Sequence, residues 1–157
     1  MRTGWLDEDE QAAWVRLIAV VELLPGVLDS QLRRDSVLTH FEYQVLAMLS
    51  EAPDRTLRMT VLGQRTNASL PRLSHVVRRL EGRELVERFP SSDDGRATNA
   101  RLSEAGMVVL EAAAPGHVEN VRRHVIGALT SEQIAQLHDI AGALLERLDA
   151  DEHMTGR

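Results

Sequence analysis

Cysteine and lysine are both missing from this 157-residue chain. Without cysteine there is no disulfide framework, no thiol redox sensor and no cysteine-rich zinc site. No apolar run approaches the ~20 residues that a helix needs to cross a bilayer. The opening residues, with Asp7, Glu8, Asp9 and Glu10, are acidic and unlike a secretory leader. Common enzyme motifs are absent too: no Gly-x-x-x-x-Gly-Lys phosphate cradle, no Gly-x-Ser-x-Gly elbow, no His-Glu-x-x-His. Asp93 and Asp94 adjoin in a turn, where their carboxylates need not converge on a substrate. The histidines (40, 75, 117, 124, 138 and 153) are scattered. His117 and His124 share a face only if the helix survives Pro115 and Gly116, and no carboxylate cluster stands by to complete a metal site. These absences imply a soluble, cytoplasmic, non-enzymatic protein without cofactor or metal, built as one domain with helical extensions.

All 18 basic residues are therefore arginine. Arginine gives forked, planar recognition of phosphates and guanines, although codon bias is the simpler cause of a lysine-free chain. The net charge of −6 conceals a strong asymmetry. Ten of the arginines but only five of the 24 acids fall between Arg55 and Arg101. That local positive excess acts over a Debye length of about 8 Å, and the acidic remainder discourages non-specific contact with polyanions.

Hydrophobic periodicity predicts helices and one small hairpin. From about Glu8 to Arg34, Trp14, Leu17, Ile18, Val21, Leu28 and Leu32 follow a helical period. Val20, Leu23, Leu24 and Val27 lie off that stripe, so this helix needs a second apolar partner besides its own core. Pro25 and Gly26 should kink or break it. Thr39 with Glu42 is a capping box that opens a helix through Tyr43, Val45, Leu46 and Leu49, closed by Ala52, Pro53 and Asp54. Thr60 is a candidate N-cap for a short helix, Val61 to Arg65. After a turn at Asn67 and Ala68, Ser69 caps the next helix, with Pro71 tolerated in its first turn. There Leu73, Val76, Val77 and Leu80 form one face, and Pro71, Arg72, Ser74, His75, Arg78 and Arg79 form the other. Two helices joined by a short turn, the second with arginines on its polar face, suit the DNA major groove.

That helix ends at Gly82. A strand, Leu85 to Phe89, and a return strand, Asn99 to Leu102, flank Asp94 and Gly95, a tight hairpin signal. Arg96 stands beside the tip. Ser103 caps another helix, which Pro115 and Gly116 interrupt or bend before it resumes through Val118, Val121, Val125 and Leu129. Thr130 with Gln133 is a second capping box. Beyond it Ile134, Leu137, Ala141, Leu144 and Leu148 repeat at coiled-coil spacing for about two heptads, too few to stand alone.

The order and spacing of several segments resemble the MarR family of winged-helix transcriptional regulators. They are Arg58-Met-Thr-Val-Leu62, Ser69-Leu-Pro-Arg-Leu-Ser-His-Val-Val-Arg-Arg-Leu-Glu81, Leu85-Val-Glu-Arg88, and Asp94-Gly-Arg96 followed by Leu102-Ser-Glu-Ala-Gly106. Leu38-Thr-His-Phe-Glu-Tyr-Gln-Val-Leu46 and Ala52-Pro53 extend the likeness upstream. The resemblance implies a mainly α fold: a winged helix-turn-helix DNA-binding domain at 39–102, with dimerisation helices at 1–38 and 103–157. It implies that Ser74 and His75 touch bases, that Leu70, Pro71 and Arg72 open the groove-facing turn, and that Arg78 and Arg79 contact phosphates or support the helix. Arg96 is then the wing arginine in a narrow minor groove, braced by Asp94. Histidine at 75 departs from the arginine the family often carries; an imidazole makes a weaker, shorter contact than a guanidinium fork.

The same resemblance implies a homodimeric repressor on a pseudo-palindromic double-stranded operator. It implies release by a small aromatic or phenolic effector between the dimerisation helices and the winged helix, where Trp14, His40 and Phe41 are candidate lining residues. A winged-helix protein–protein module that does not read DNA is the alternative. A steep salt dependence of DNA binding separates the two.

Overall fold

The computed structural model describes residues 4–155; the outermost residues of the two expected dimerisation segments, 1–3 and 156–157, lie outside it. The described elements are α1 (Glu8–Ser36), α2 (His40–Glu51), β1 (Thr56–Arg58), α3 (Met59–Arg65), α4 (Leu70–Gly82), β2 (Val86–Pro90), β3 (Thr98–Leu102), α5 (Glu104–His124) and α6 (Ser131–Leu148). Short 3₁₀ turns cover Pro53–Arg55 and Ile126–Ala128. The strands form one antiparallel sheet in the order β1-β3-β2, with Val86 opposite Leu102 and Pro90 opposite Thr98.

Side-chain caps start most of these helices. Thr39 and Thr130 each close a capping box, with Glu42 and Gln133, and Asp7 closes a third with Glu10. Ser69 Oγ accepts the Arg72 amide and Ser103 Oγ accepts that of Gly106. Such caps are worth ~1 kcal/mol each. One core lies under α2–α4 and the sheet: Leu32, Leu38, Val45, Leu46, Leu49, Leu62, Leu73, Val77 and Leu80 are fully buried, beside Ala100 and Leu102 from β3. A buried leucine contributes about 2 kcal/mol, so this cluster fixes how α4 stands against the sheet.

Several expectations need correction. Neither proline breaks its helix: α1 runs unbroken through Pro25 and α5 through Pro115. Pro25 and Gly26 are solvent-exposed, so water can serve the carbonyl that lacks its helical donor. α5 stops at His124, leaving Val125 and Leu129 in the connection to α6. α3 starts at Met59, so Thr60 is inside the helix and Arg58 takes the cap position without a side-chain bond. β1 was not foreseen; three residues carry too little alternation to reveal a strand. The hairpin is also looser than expected. Residues 91–97 form its loop, closed by a bond from the Ser91 amide to the Ala97 carbonyl (2.9 Å). A two-residue type I′ turn needs positive φ at both central positions, and neither Asp94 nor Gly95 has it.

The long outer helices are weakly covered. α1 packs along α5, and Asn120 Nδ2 donates to the Val27 carbonyl between them at 3.2 Å. Yet Trp14, Val20, Val21 and Leu23 remain exposed, Leu23 at 70%. Although the sequence holds no uninterrupted apolar run of membrane-spanning length, α1 has an 18-residue window of mean hydropathy 1.5 and is long and apolar enough to cross a membrane by length and composition alone. None of that window is buried in the single chain. No described residue of α6 is buried, and its predicted seam of Ile134, Leu137, Leu144 and Leu148 lies open, with Leu148 81% exposed.

Candidate nucleic-acid interface

α4 divides into three polar or solvent-facing strips around its buried stripe of Leu73, Val77 and Leu80. At 100° per residue, Leu70, Ser74 and Glu81 face the hairpin. Pro71, His75 and Arg78 point straight out and are exposed. Arg72, Val76 and Arg79 face α2. So Arg72 and Arg79 do not stand beside Ser74 as the sequence suggested: the Arg72 guanidinium lies over the Phe41 ring, 4.2 Å from its centroid. Arg79 approaches the Glu42 carboxylate at 3.7 Å. Val76, expected in the core, is only partly buried for the same reason.

Glu42 explains why α4 holds its angle to α2. Its carboxylate is buried, completes the Thr39 capping box, and is also reached by Arg83 at 3.4 Å. A buried carboxylate costs several kcal/mol unless paired; two arginines and a backbone amide meet that need here. Both arginines are well exposed, so solvent weakens each pair.

The hairpin and α4 enclose a cleft of about 490 Å³ lined by Arg58, Met59, Thr60, Leu70, Ser74, Arg88, Asp94, Arg96, Ala97 and Thr98. With Arg88 paired to Glu81, Arg58 and Arg96 against Asp94 leave it electropositive. Asp94 Oδ1 accepts the Arg96 amide at 3.0 Å and its carbonyl accepts the Ala97 amide at 2.9 Å. That is an Asx-type turn, which fixes the loop and projects Arg96 from the tip. Arg88, on β2, engages Glu81 and donates to Ser74 Oγ at 3.2 Å. Sequence reasoning quoted Arg58 and Arg88 as parts of motifs and missed both as cleft residues, because their convergence depends on the β1-β3-β2 order.

The structure also sorts the ten arginines of the basic segment. Arg55, Arg79, Arg83, Arg88 and Arg101 are in ion pairs with Glu104, Glu42, Glu42, Glu81 and Glu87. Arg72 is stacked on Phe41. Among the described residues, Arg58, Arg65, Arg78 and Arg96 have no side-chain partner and are the unpaired cations of the segment.

A second cavity, about 800 Å³, opens between α1, α2 and α4, lined by Val21, Leu24, Leu28, His40, Phe41, Arg72 and Val76 among others. Two of the three residues suggested for an effector pocket line it; Trp14 does not. Behind it, His117 of α5 meets Tyr43 (ring centroids 4.3 Å apart) and His40 (6.0 Å). The histidines are therefore less scattered than the sequence implied. Burial lowers both imidazole pKa values; for His40 the neighbouring His117 lowers it further and Asp29 opposes. Burial raises the Tyr43 pKa. Among the described residues no group of three or more metal-ligating side chains occurs.

An electropositive cleft between an exposed helix and an arginine-tipped hairpin, on a helix-turn-helix frame, defines a winged helix-turn-helix protein. Residues 38–97 match a model of the MarR family. The structure is similar to that of Sco3205 of Streptomyces coelicolor, a MarR family transcriptional regulator solved in complex with DNA, with 41% identity over 92% of this chain and 94% of that one and a TM-score of 0.87. It is similar to AbsC of the same organism, another MarR family transcriptional regulator, with 36% identity over 94% and 99% and a TM-score of 0.88. An Escherichia coli MarR variant bound to operator DNA shares the fold at 22% identity, covering 89% of this chain and 99% of that one, with a TM-score of 0.74. No relative was found among curated protein sequences. The chain belongs to the MarR family of transcriptional regulators.

Proposed function

We propose that this protein is a homodimeric, sequence-specific double-stranded DNA-binding regulator, a cytoplasmic repressor without catalytic activity, released by a small aromatic or phenolic effector. Residues 39–102 form its DNA-binding domain, and 1–38 with 103–157 its dimerisation region. The observation that carries the reading is the cleft shared by Ser74 of α4 and Arg96 of the hairpin, in a chain 41% identical to a regulator solved on DNA. Leu70, Pro71, Ser74, His75 and Arg78 enter the major groove. Arg96 reaches the flanking minor groove, best where A·T pairs narrow it. Arg72 and Arg79 hold α4 against α2, through Phe41 and Glu42, and so support the recognition helix.

Dimerisation is supported by the open apolar faces of α1 and α6, which one chain leaves in water. Two-fold symmetry then presents two copies of α4 to half-sites about 34–36 Å apart. The cavity beside Phe41 and Arg72 suits an effector, since a ligand there touches both a dimerisation helix and α4. Such a ligand shifts the equilibrium only by its differential affinity for the bound and released states.

Fluorescence anisotropy tests the reading, with DNA from upstream of the protein's own gene against scrambled DNA at several salt concentrations. Four free arginines per protomer predict a slope of log K against log[salt] of about −7 for the dimer. Weak, equal and salt-insensitive binding to both duplexes would instead favour the protein–protein module.

A further inference from the structure

The floor of the cleft holds an arrangement that α4 and β2 build together. Ser74 and Glu81 lie on one line of α4, two turns apart, and Arg88 rises from β2 to engage both. Its side chain is only 25% exposed and the Glu81 carboxylate holds it. It is thus kept from swinging out to a phosphate.

The consequence falls on Ser74. A serine hydroxyl carries one proton to donate and two lone pairs to accept with, whereas a guanidinium only donates. With Arg88 Nη1 on one lone pair at 3.2 Å, the Ser74 proton must point elsewhere. Some hydroxyls in or capping the helices spend theirs on their own helix: Ser36, Ser50 and Thr66 donate to carbonyls three or four residues back. Among the described residues Ser74 has no such bond, so its proton is left for the open cleft between Leu70 and Arg96. Accepting a bond from a charged donor also makes a hydroxyl a stronger donor.

We infer that Arg88 is a specificity-positioning residue: by occupying one of the two lone pairs of Ser74 it turns that hydroxyl's proton towards the major groove and biases it to donate. A free serine reads either kind of base edge. With one lone pair taken, Ser74 favours an acceptor (guanine O6 or N7, adenine N7, thymine O4) over the amino groups of adenine and cytosine, which have only its second lone pair to meet. The inference rests on α4 being the recognition helix. It separates two roles for arginine in one cleft: Arg96 adds affinity, and Arg88 adds selectivity while contributing little to the salt slope.

The test is a double-mutant cycle of Ser74→Ala and Arg88→Met, with Arg88→Lys as the rescue, on the best site selected from random duplexes. The readout is the affinity ratio between that site and versions changed at the base pair facing Ser74. Each single variant should reduce the ratio by roughly three- to tenfold. The double variant should go no further, Arg88→Lys should restore part of it, and the salt slope should stay unchanged. Should Arg88→Met fail to fold, a deaza or deoxo base analogue at the facing position gives a second readout: it should weaken the parent and leave Ser74→Ala unaffected.

Arg88→Met weakening every sequence equally, with a shallower salt slope, would make Arg88 a phosphate contact and overturn the inference. So would multiplicative effects in the double variant, or a ratio untouched by Ser74→Ala. A parent with no site preference would sink the reading of α4 itself. A parent with preference but an additive cycle would sink only the role of Arg88.

Discussion

Gly106, in the first turn of α5, sets the contact between the base of the hairpin and that helix, and replacing it with alanine should be costly. A Cβ there would sit 2.1 Å from the Leu85 carbonyl oxygen and 2.6 Å from Leu102 Cδ1. The leucine methyl can rotate, but the carbonyl cannot, because it accepts the Ser103 amide at 3.1 Å and Leu85 is buried. Relief takes a backbone shift of about 1.3 Å or more to reach ordinary contact distance. Overpacking of this kind costs about 1–3 kcal/mol, and disturbing the Ser103–Leu85 bond costs about 1 more. Alanine returns up to about 1 kcal/mol in helix propensity. The net loss is about 1–3 kcal/mol, or roughly 3–10 °C in Tm for a chain of this size. Gly82 is the matched control. It ends α4 with no positive φ and nothing within 4 Å of a built Cβ, so Gly82→Ala should be neutral or stabilise by up to ~1 kcal/mol. Thermal unfolding at one fixed protein concentration, which dimerisation demands, reads both. A Gly106→Ala protein as stable as the parent would refute the packing argument, as would equal losses for the two variants.

Arg96→Ala should weaken operator binding by about 1.5–3 kcal/mol, most where the flanks are A·T-rich, and make the salt slope shallower by about 2 per dimer. Arg101→Ala, already paired with Glu87, should leave both unchanged in the same anisotropy titration. Truncation before Thr130 removes α6 and should abolish dimerisation; a DNA-competent monomer in analytical ultracentrifugation would contradict the interface. Acidification should destabilise the fold between about pH 7 and pH 5. His40 and His117 have folded pKa values below 6.5, chiefly through burial, so the unfolded chain takes up protons first as pH falls. Urea unfolding across that range should show the loss, and His117→Asn should flatten it; stability that rises on acidification would reverse the sign and refute the argument.

Much of this was legible in the sequence because the signals are local. The caps at Thr39, Ser69, Ser103 and Thr130 announce their helices within three residues. The alternation around Leu85 and Leu102 marks two strands. What was not legible depends on neighbours far along the chain. β1 exists because three residues happen to pair with β3. Pro25 and Pro115 are tolerated because their surroundings let the helices continue, which no propensity scale registers. Arg72 turns to Phe41 and Arg79 to Glu42 because α2 packs beside α4, so two arginines that look alike on a helical wheel part from Ser74 and Arg78. The contact of His117 with His40 and Tyr43 likewise joins residues more than 70 positions apart.

Selection of duplexes from a random-sequence pool by the full-length protein bears on the whole chain of reasoning at once. Two copies of α4 and two hairpins related by a two-fold axis should enrich a pseudo-palindrome whose half-sites lie about 10 base pairs apart, centre to centre, with A·T-rich flanks where Arg96 enters. Enrichment of no sequence, or of a single asymmetric half-site bound by one chain, would contradict the account of a dimeric winged-helix regulator.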